Sequence, residues 1–126
     1  DLALDAWTDL GLGLLGSNGV PLLVGTGTLS AGSSNQFALS RAKPTTTGFL
    51  VVGLTQLNAP FKGGTMVPQP YQAIVFVTDS AGKVTMPFTF PAGIPVGTAM
   101  YFQFWIPDPA AVAGFAASNG LKGTSA

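Results

Sequence analysis

Val84-Thr85-Met86-Pro87-Phe88-Thr89-Phe90 alternates between large apolar side chains and smaller or polar ones. A period of two places Val84, Met86, Phe88 and Phe90 on one face of a strand and Thr85, Pro87 and Thr89 on the other. Such a strand is half-buried. Pro87 has no backbone N–H to give to a ladder, so the strand belongs at a sheet edge or a bulge.

Working outward, Asp79-Ser80-Ala81-Gly82 precedes this strand and Tyr71–Thr78, rich in aromatic and β-branched residues, precedes the loop. The pair reads as a hairpin, with Gly82 free to take a positive φ. Thr47–Thr55 contains Phe49-Leu50-Val51-Val52, a continuous apolar run that suits a central strand covered on both faces. Pro21–Leu29, Asn35–Arg41, Thr98–Ile106 and Ser118–Thr124 complete the strand set, with Thr65–Pro68 a shorter candidate. Asn18-Gly19 and Asn119-Gly120 are turn signals. Pro109–Ala117 is the one segment that reads as a helical turn, with Asp108 as its N-cap and Pro109 in the first helical position. Pro44 pushes Lys43 towards an extended conformation and prevents a helix at Arg41. The pattern predicts a single all-β domain over residues 1–126: an antiparallel β-sandwich of Greek-key, jelly-roll or Ig-like type with about 7–9 strands.

Residues 1–16 have two readings. Asp1, Asp5 and Asp9 would repel one another if stacked on a helix, which favours an extended segment. Its apolar residues Leu2, Leu4, Trp7 and Leu10 could form an assembly arm that adds to a neighbour's sheet edge. The same residues would equally serve as the first strand of their own sandwich.

Charge is scarce. Only 8% of the 126 residues are charged, with no Glu, His or Cys, against about 25% in ordinary soluble domains. Hydrophobic residues make up 47% and the mean hydropathy is +0.45, which excludes intrinsic disorder. The formal net charge is zero, and Arg41, Lys43, Lys62, Lys83 and Lys122 form no cluster beyond the first pair. Nothing here attracts nucleic acid or anionic lipid. The uncharged stretches Leu10–Ser40 and Val84–Pro107 are broken by Gly and Pro and are not membrane spans. The opening at Asp1, without Met, reads as a mature form whose export signal has been removed.

The missing residue types are those that most hydrolytic and metal chemistry requires. The expectation is a non-enzymatic protein with no catalytic residue, no cofactor and no metal. Val75-Phe76-Val77-Thr78-Asp79-Ser80 is similar to the strand-then-Asp motif of aspartic proteases, but Ala81 stands where those enzymes carry Gly and no second such loop occurs. Gly25-Thr26-Gly27-Thr28 lacks the Lys and following helix of a phosphate loop. Asp1, Asp5 and Asp9 supply oxygens of the kind calcium takes, but no Gly-punctuated loop holds them, and they read as a solvated acidic face.

Tyr101-x-Gln103-x-Trp105 is the more informative pattern. Residues two apart on a strand share a face about 6.5–7 Å apart. Met100, Phe102, Phe104 and Ile106 form the better core stripe, so Tyr101, Gln103 and Trp105 point outward or into a second layer. Exposed, they would make a glycan-stacking platform or a subunit contact; buried, Trp105 would join the core.

The chain resembles a β-sandwich module of secreted proteins from planctomycetes and related bacteria. The resemblance rests on Gly19–Leu29, on Asn58–Thr65 with Pro68 and Pro70, and on Thr78-Asp79 with Gly82. It continues through Pro91, Gly93, Pro95 and Gly97 with Tyr101, Gln103 and Trp105, and ends at Ala117–Leu121. It implies export, a sandwich fold and a place outside the cell or at its surface; it carries over no catalytic residue. With the scarcity of charge, this predicts a secreted structural subunit that binds copies of itself in a filament or surface array. The alternative is a carbohydrate-binding or adhesion module using Tyr101, Gln103 and Trp105.

Overall fold

A computed structural model of the protein describes residues 6–126. Eleven strands form antiparallel sheets, and the described residues contain no helix. They are β1 (Trp7–Gly11), β2 (Leu22–Thr26), β3 (Ser34–Ser40), β4 (Thr47–Gly53), β5 (Gln56–Phe61) and β6 (Gly64–Pro68). β7 (Gln72–Val77), β8 (Val84–Thr89), β9 (Ala99–Pro107), β10 (Phe115–Ala117) and β11 (Gly120–Thr124) follow. The larger sheet runs β1-β11-β9-β4-β7, with β10 also paired to β9; the smaller runs β2-β3-β8. The hairpin β5-β6 is a sheet of its own.

The core lies between the two larger sheets. The inward stripe of β9, Phe102, Phe104 and Ile106, meets Leu50 of β4, Leu23 of β2 and Phe37 and Leu39 of β3. Phe37 anchors it, with ring centroids 5.4 Å from Trp7, 4.9 Å from Phe88 and 4.7 Å from Phe102. Burying each such side chain stabilises the fold by about 1.5–3 kcal/mol. The β1 side of the sandwich is closed by Trp7 lying on β2. A Cβ on Gly25 would come within 2.3 Å of the indole, so only glycine admits the ring there.

Three sequence expectations need correction. The described residues form eleven strands, of which two were not expected. β5 carries Asn58 and Pro60 and is largely exposed, so no alternation marks it. Its signal was the two-residue turn Lys62-Gly63, both at positive φ (52° and 81°), between paired Phe61 and Gly64. β10 lies in the segment expected to be helical; residues 109–114 form turns and bends, and Phe115–Ala117 pairs with Trp105–Pro107. Asp108 still caps locally, its Oδ1 accepting from the Ala110 N–H at 3.0 Å.

The third correction matters most. Tyr71–Thr78 and Val84–Phe90 are not a hairpin. The turn itself closes, with the Asp79 N–H bonded to the Lys83 carbonyl at 2.9 Å. Beyond it the strands part: β7 pairs with β4 in the larger sheet and β8 with β3 in the smaller. Both face inward from opposite sheets, Ile74 and Phe76 on one side and Val84, Met86 and Phe88 on the other. The segment 41–46 between β3 and β4 changes sheets at the same end. Ala42 and Thr45 N–H groups bond to Gly82 and Asp79 carbonyls at 3.1 and 3.0 Å, fixing the two crossovers together.

Candidate association surface

Gln103 and Trp105 lie in a second layer under the β5-β6 hairpin, 0% and 2% exposed. The Gln103 Oε1 accepts from the Val67 N–H at 3.0 Å and the Trp105 Nε1–H at 2.9 Å. Its Nε2 donates to the carbonyls of Thr65 and Ser118, both at 3.1 Å. Phe61 meets Trp105 edge-on with centroids 5.1 Å apart. Tyr101 is half-buried. Of the two readings of Tyr101, Gln103 and Trp105, the exposed platform is corrected for Gln103 and Trp105, and Trp105 joins a buried cluster as the other reading had it. The amide is bonded to the hairpin's backbone and to the indole, which leaves neither Gln103 nor Trp105 open to a sugar or a second subunit.

The N-terminal segment divides. Leu2 and Leu4, with Asp1 and Asp5, lie outside the described residues. Trp7 is buried in the core and Leu10 is half-buried in β1, which pairs with β11 of the same chain from Trp7↔Gly123 to Gly11↔Gly120. From Trp7 onward the segment is a strand of its own sandwich, so Trp7 and Leu10 do not belong to a free arm. Asp9 Oδ1 accepts from the Gly11 N–H at 2.8 Å and the Asn119 amide at 3.1 Å.

What the sequence did not mark is the open side between β7 and β8. Where they part, a cleft of about 480 Å³ enters the sandwich. Ile74, Met86 and Phe88 stand at its sides, the buried Leu29, Phe37 and Leu50 lie deeper, and Gln72 is the one polar residue among those lining it. The signal available was the inward alternation on both strands; their separation into two sheets was not visible in it.

Other strand edges carry a device against pairing with a second chain. β1 has the charge of Asp9 and a register break between Asp9 and Gly11. At β2, Asn119 takes the place of a neighbouring strand: its Oδ1 accepts from the Leu23 N–H at 2.7 Å and its Nδ2 donates to the Leu23 carbonyl at 3.0 Å. Gln103 does the same for β6. β5 has Pro60 and a register break between Gln56 and Ala59, and β8 has Pro87. Among the described residues, β7 has none of these. Its six residues carry no charge and no Pro, and they pair with β4 without a register break from Thr47↔Val77 to Val52↔Gln72. On its outer face Val75 and Val77 are 60% and 62% exposed.

Among the described residues no group of three or more Asp side chains stands together as a metal site, and no helix is long and apolar enough to cross a membrane. Comparison of the chain with protein-family models, with curated proteins and with solved structures found no match.

Proposed function

We propose that this protein is a non-enzymatic structural subunit that associates with copies of itself through the open side of its sandwich. The observation that carries the reading is the edge of β7: regular, uncharged and unprotected, beside an apolar cleft that reaches the core. An exposed regular edge is a template for a further strand. Apolar surface at a cleft's mouth supplies a driving force that backbone hydrogen bonds alone do not. The resemblance of its turn motifs to exported bacterial modules supports a setting outside the cell or at its surface.

Light scattering and electron microscopy of the purified protein test the reading. The wild type should form particles larger than one 12.8 kDa chain. Val75→Lys, on the exposed face of β7, should shift them to monomer with little change in the unfolding temperature. A wild type that stays monomeric at millimolar concentration overturns the proposal.

A further inference from the structure

We infer that the cleft between β7 and β8 binds an uncharged small molecule with a hydrocarbon body and one hydrogen-bonding head group. The inference goes beyond self-association and does not rest on it, because Val75 and Val77 on the outer face of β7 do not line the cleft. The volume of about 480 Å³ lies within the range of about 300–1,000 Å³ usual for small-molecule sites. Close-packed interiors leave few voids larger than a water molecule. At about 30 Å³ for each water-sized group, this cleft takes about 16 methylene-sized groups. Small lining residues are not the cause of the space, since Ile74, Met86, Phe88, Ile94 and Met100 are all large. It opens because the Asp79–Lys83 turn ties β7 to β8 at one end only. Gln72 and Ile74 lie towards the other end, where the two strands belong to different sheets.

The chemistry of the lining selects the ligand. A buried water needs about 2–4 polar partners, and Gln72 is the one polar residue in the lining. Water is therefore a poor occupant and hydrocarbon a good one. Met86 and Met100 add unbranched, adaptable walls of the kind that fit themselves to an apolar guest. Gln72 is exposed, and among the described residues its side-chain amide has no hydrogen-bond partner. An amide both donates and accepts, so it matches a hydroxyl, ester or amide head group. No lining residue is charged, so a carboxylate or an ammonium group would find no counter-charge there.

The three methionines of the chain make the test direct. Met86 and Met100 line the cleft, whereas Met66 packs with Trp105 in the separate cluster under the β5-β6 hairpin. Decan-1-ol titrated into protein labelled at its methionine methyls should shift the Met86 and Met100 resonances saturably and leave Met66 in place. Gln72→Leu should weaken binding of the alcohol about 2- to 10-fold, the effect of one lost hydrogen bond. Decanoate, with the same chain length and a charged head, should bind more weakly than the alcohol. If Met86 and Met100 do not move, or all three methyls move alike, the site is overturned. If decanoate binds as tightly as the alcohol, or Gln72→Leu binds it undiminished, the uncharged head held by Gln72 is overturned. The Val75→Lys variant should show the same shifts as the wild type. Shifts in that variant that are absent from an associated wild type would assign the cleft to a second copy, so that the ligand falls while self-association stands. A wild type that stays monomeric yet binds decan-1-ol overturns self-association alone.

Discussion

Gln103 illustrates how much of this fold hangs on single polar side chains. Its amide makes four hydrogen bonds, to two backbone groups of β6, the carbonyl of Ser118 and the indole of Trp105. Among the described residues no buried side-chain nitrogen or oxygen lacks a partner, so the interior has no slack for losing one. Replacing Gln103 by Leu keeps the approximate volume but strands the Val67 N–H, the Trp105 Nε1–H and two carbonyls. Each orphaned buried group costs about 1–3 kcal/mol, and partial relaxation leaves an expected loss of about 3 kcal/mol. Thermal unfolding followed by circular dichroism should show a midpoint lower by about 10 °C or more. The same substitution should loosen the β5-β6 hairpin before the rest of the sandwich, seen as faster amide exchange at Val67. The sequence placed Gln103 and Trp105 on one face correctly. It could not show that the face was covered, because the β5-β6 hairpin lies over it through β6 backbone bonds and Phe61, and the exposed β5 shows no alternation that would mark the hairpin as a covering layer.

At the scale of elements, Asp108 fastens the segment before β2 to the turn after β9. It is 2% exposed. Its Oδ2 accepts from the Ser17 N–H at 2.7 Å and the Ser17 hydroxyl at 2.8 Å, while Oδ1 holds the Ala110 N–H. Burial alone would raise the carboxyl pKa. The donors from Ser17 and Ala110, with the charge of Lys43, outweigh it and hold the group below its ordinary value of 3.8. A folded pKa below the unfolded one means stabilisation that is full above about pH 4 and disappears as pH falls through the folded value. Asp108→Asn should therefore lower stability at pH 7 by about 1–3 kcal/mol. The gap between variant and wild type should close as pH is taken from 5 to 2; a gap that does not depend on pH would show that the ionised carboxylate is not what holds the two segments. The strands were largely legible at this scale, since β2, β4, β7, β8 and β11 lie within the expected runs, and β3, β6 and β9 pass the bounds of theirs by one residue. Their partners were not. Alternation in Gln72–Val77 and Val84–Thr89 tells which side chains face inward, and a hairpin and a two-sheet crossover satisfy it equally. The turn at Asp79–Gly82 suits both. The choice is made by distant residues, β4 taking β7 and β3 taking β8, with the 41–46 crossover bonded alongside.

For the whole molecule, the scarcity of charge acquires a location. The five acidic and five basic residues of the chain include Asp79 and Lys83 at the closed end of the β7–β8 fork and none within β7 or β8. Ion pairs therefore cannot supply the attraction at the proposed contact, and long-range repulsion cannot oppose it. Backbone hydrogen bonding and apolar burial remain, and these respond to salt differently from charges. At ordinary ionic strength exposed charges more than about 10 Å apart are largely screened, whereas excluded salts such as sulfate strengthen apolar burial. Raising sodium chloride from 50 to 500 mM should change the self-association constant by less than about threefold, the neutral behaviour expected without charge pairs. Sodium sulfate should tighten association, and any residual association of the Val75→Lys variant, which carries a charge at the contact, should depend on sodium chloride where that of the wild type does not. Sedimentation equilibrium measures all three. A steep weakening with sodium chloride would place Asp79, Lys83 or another charged residue at the contact and rule out the uncharged β7 edge as its centre.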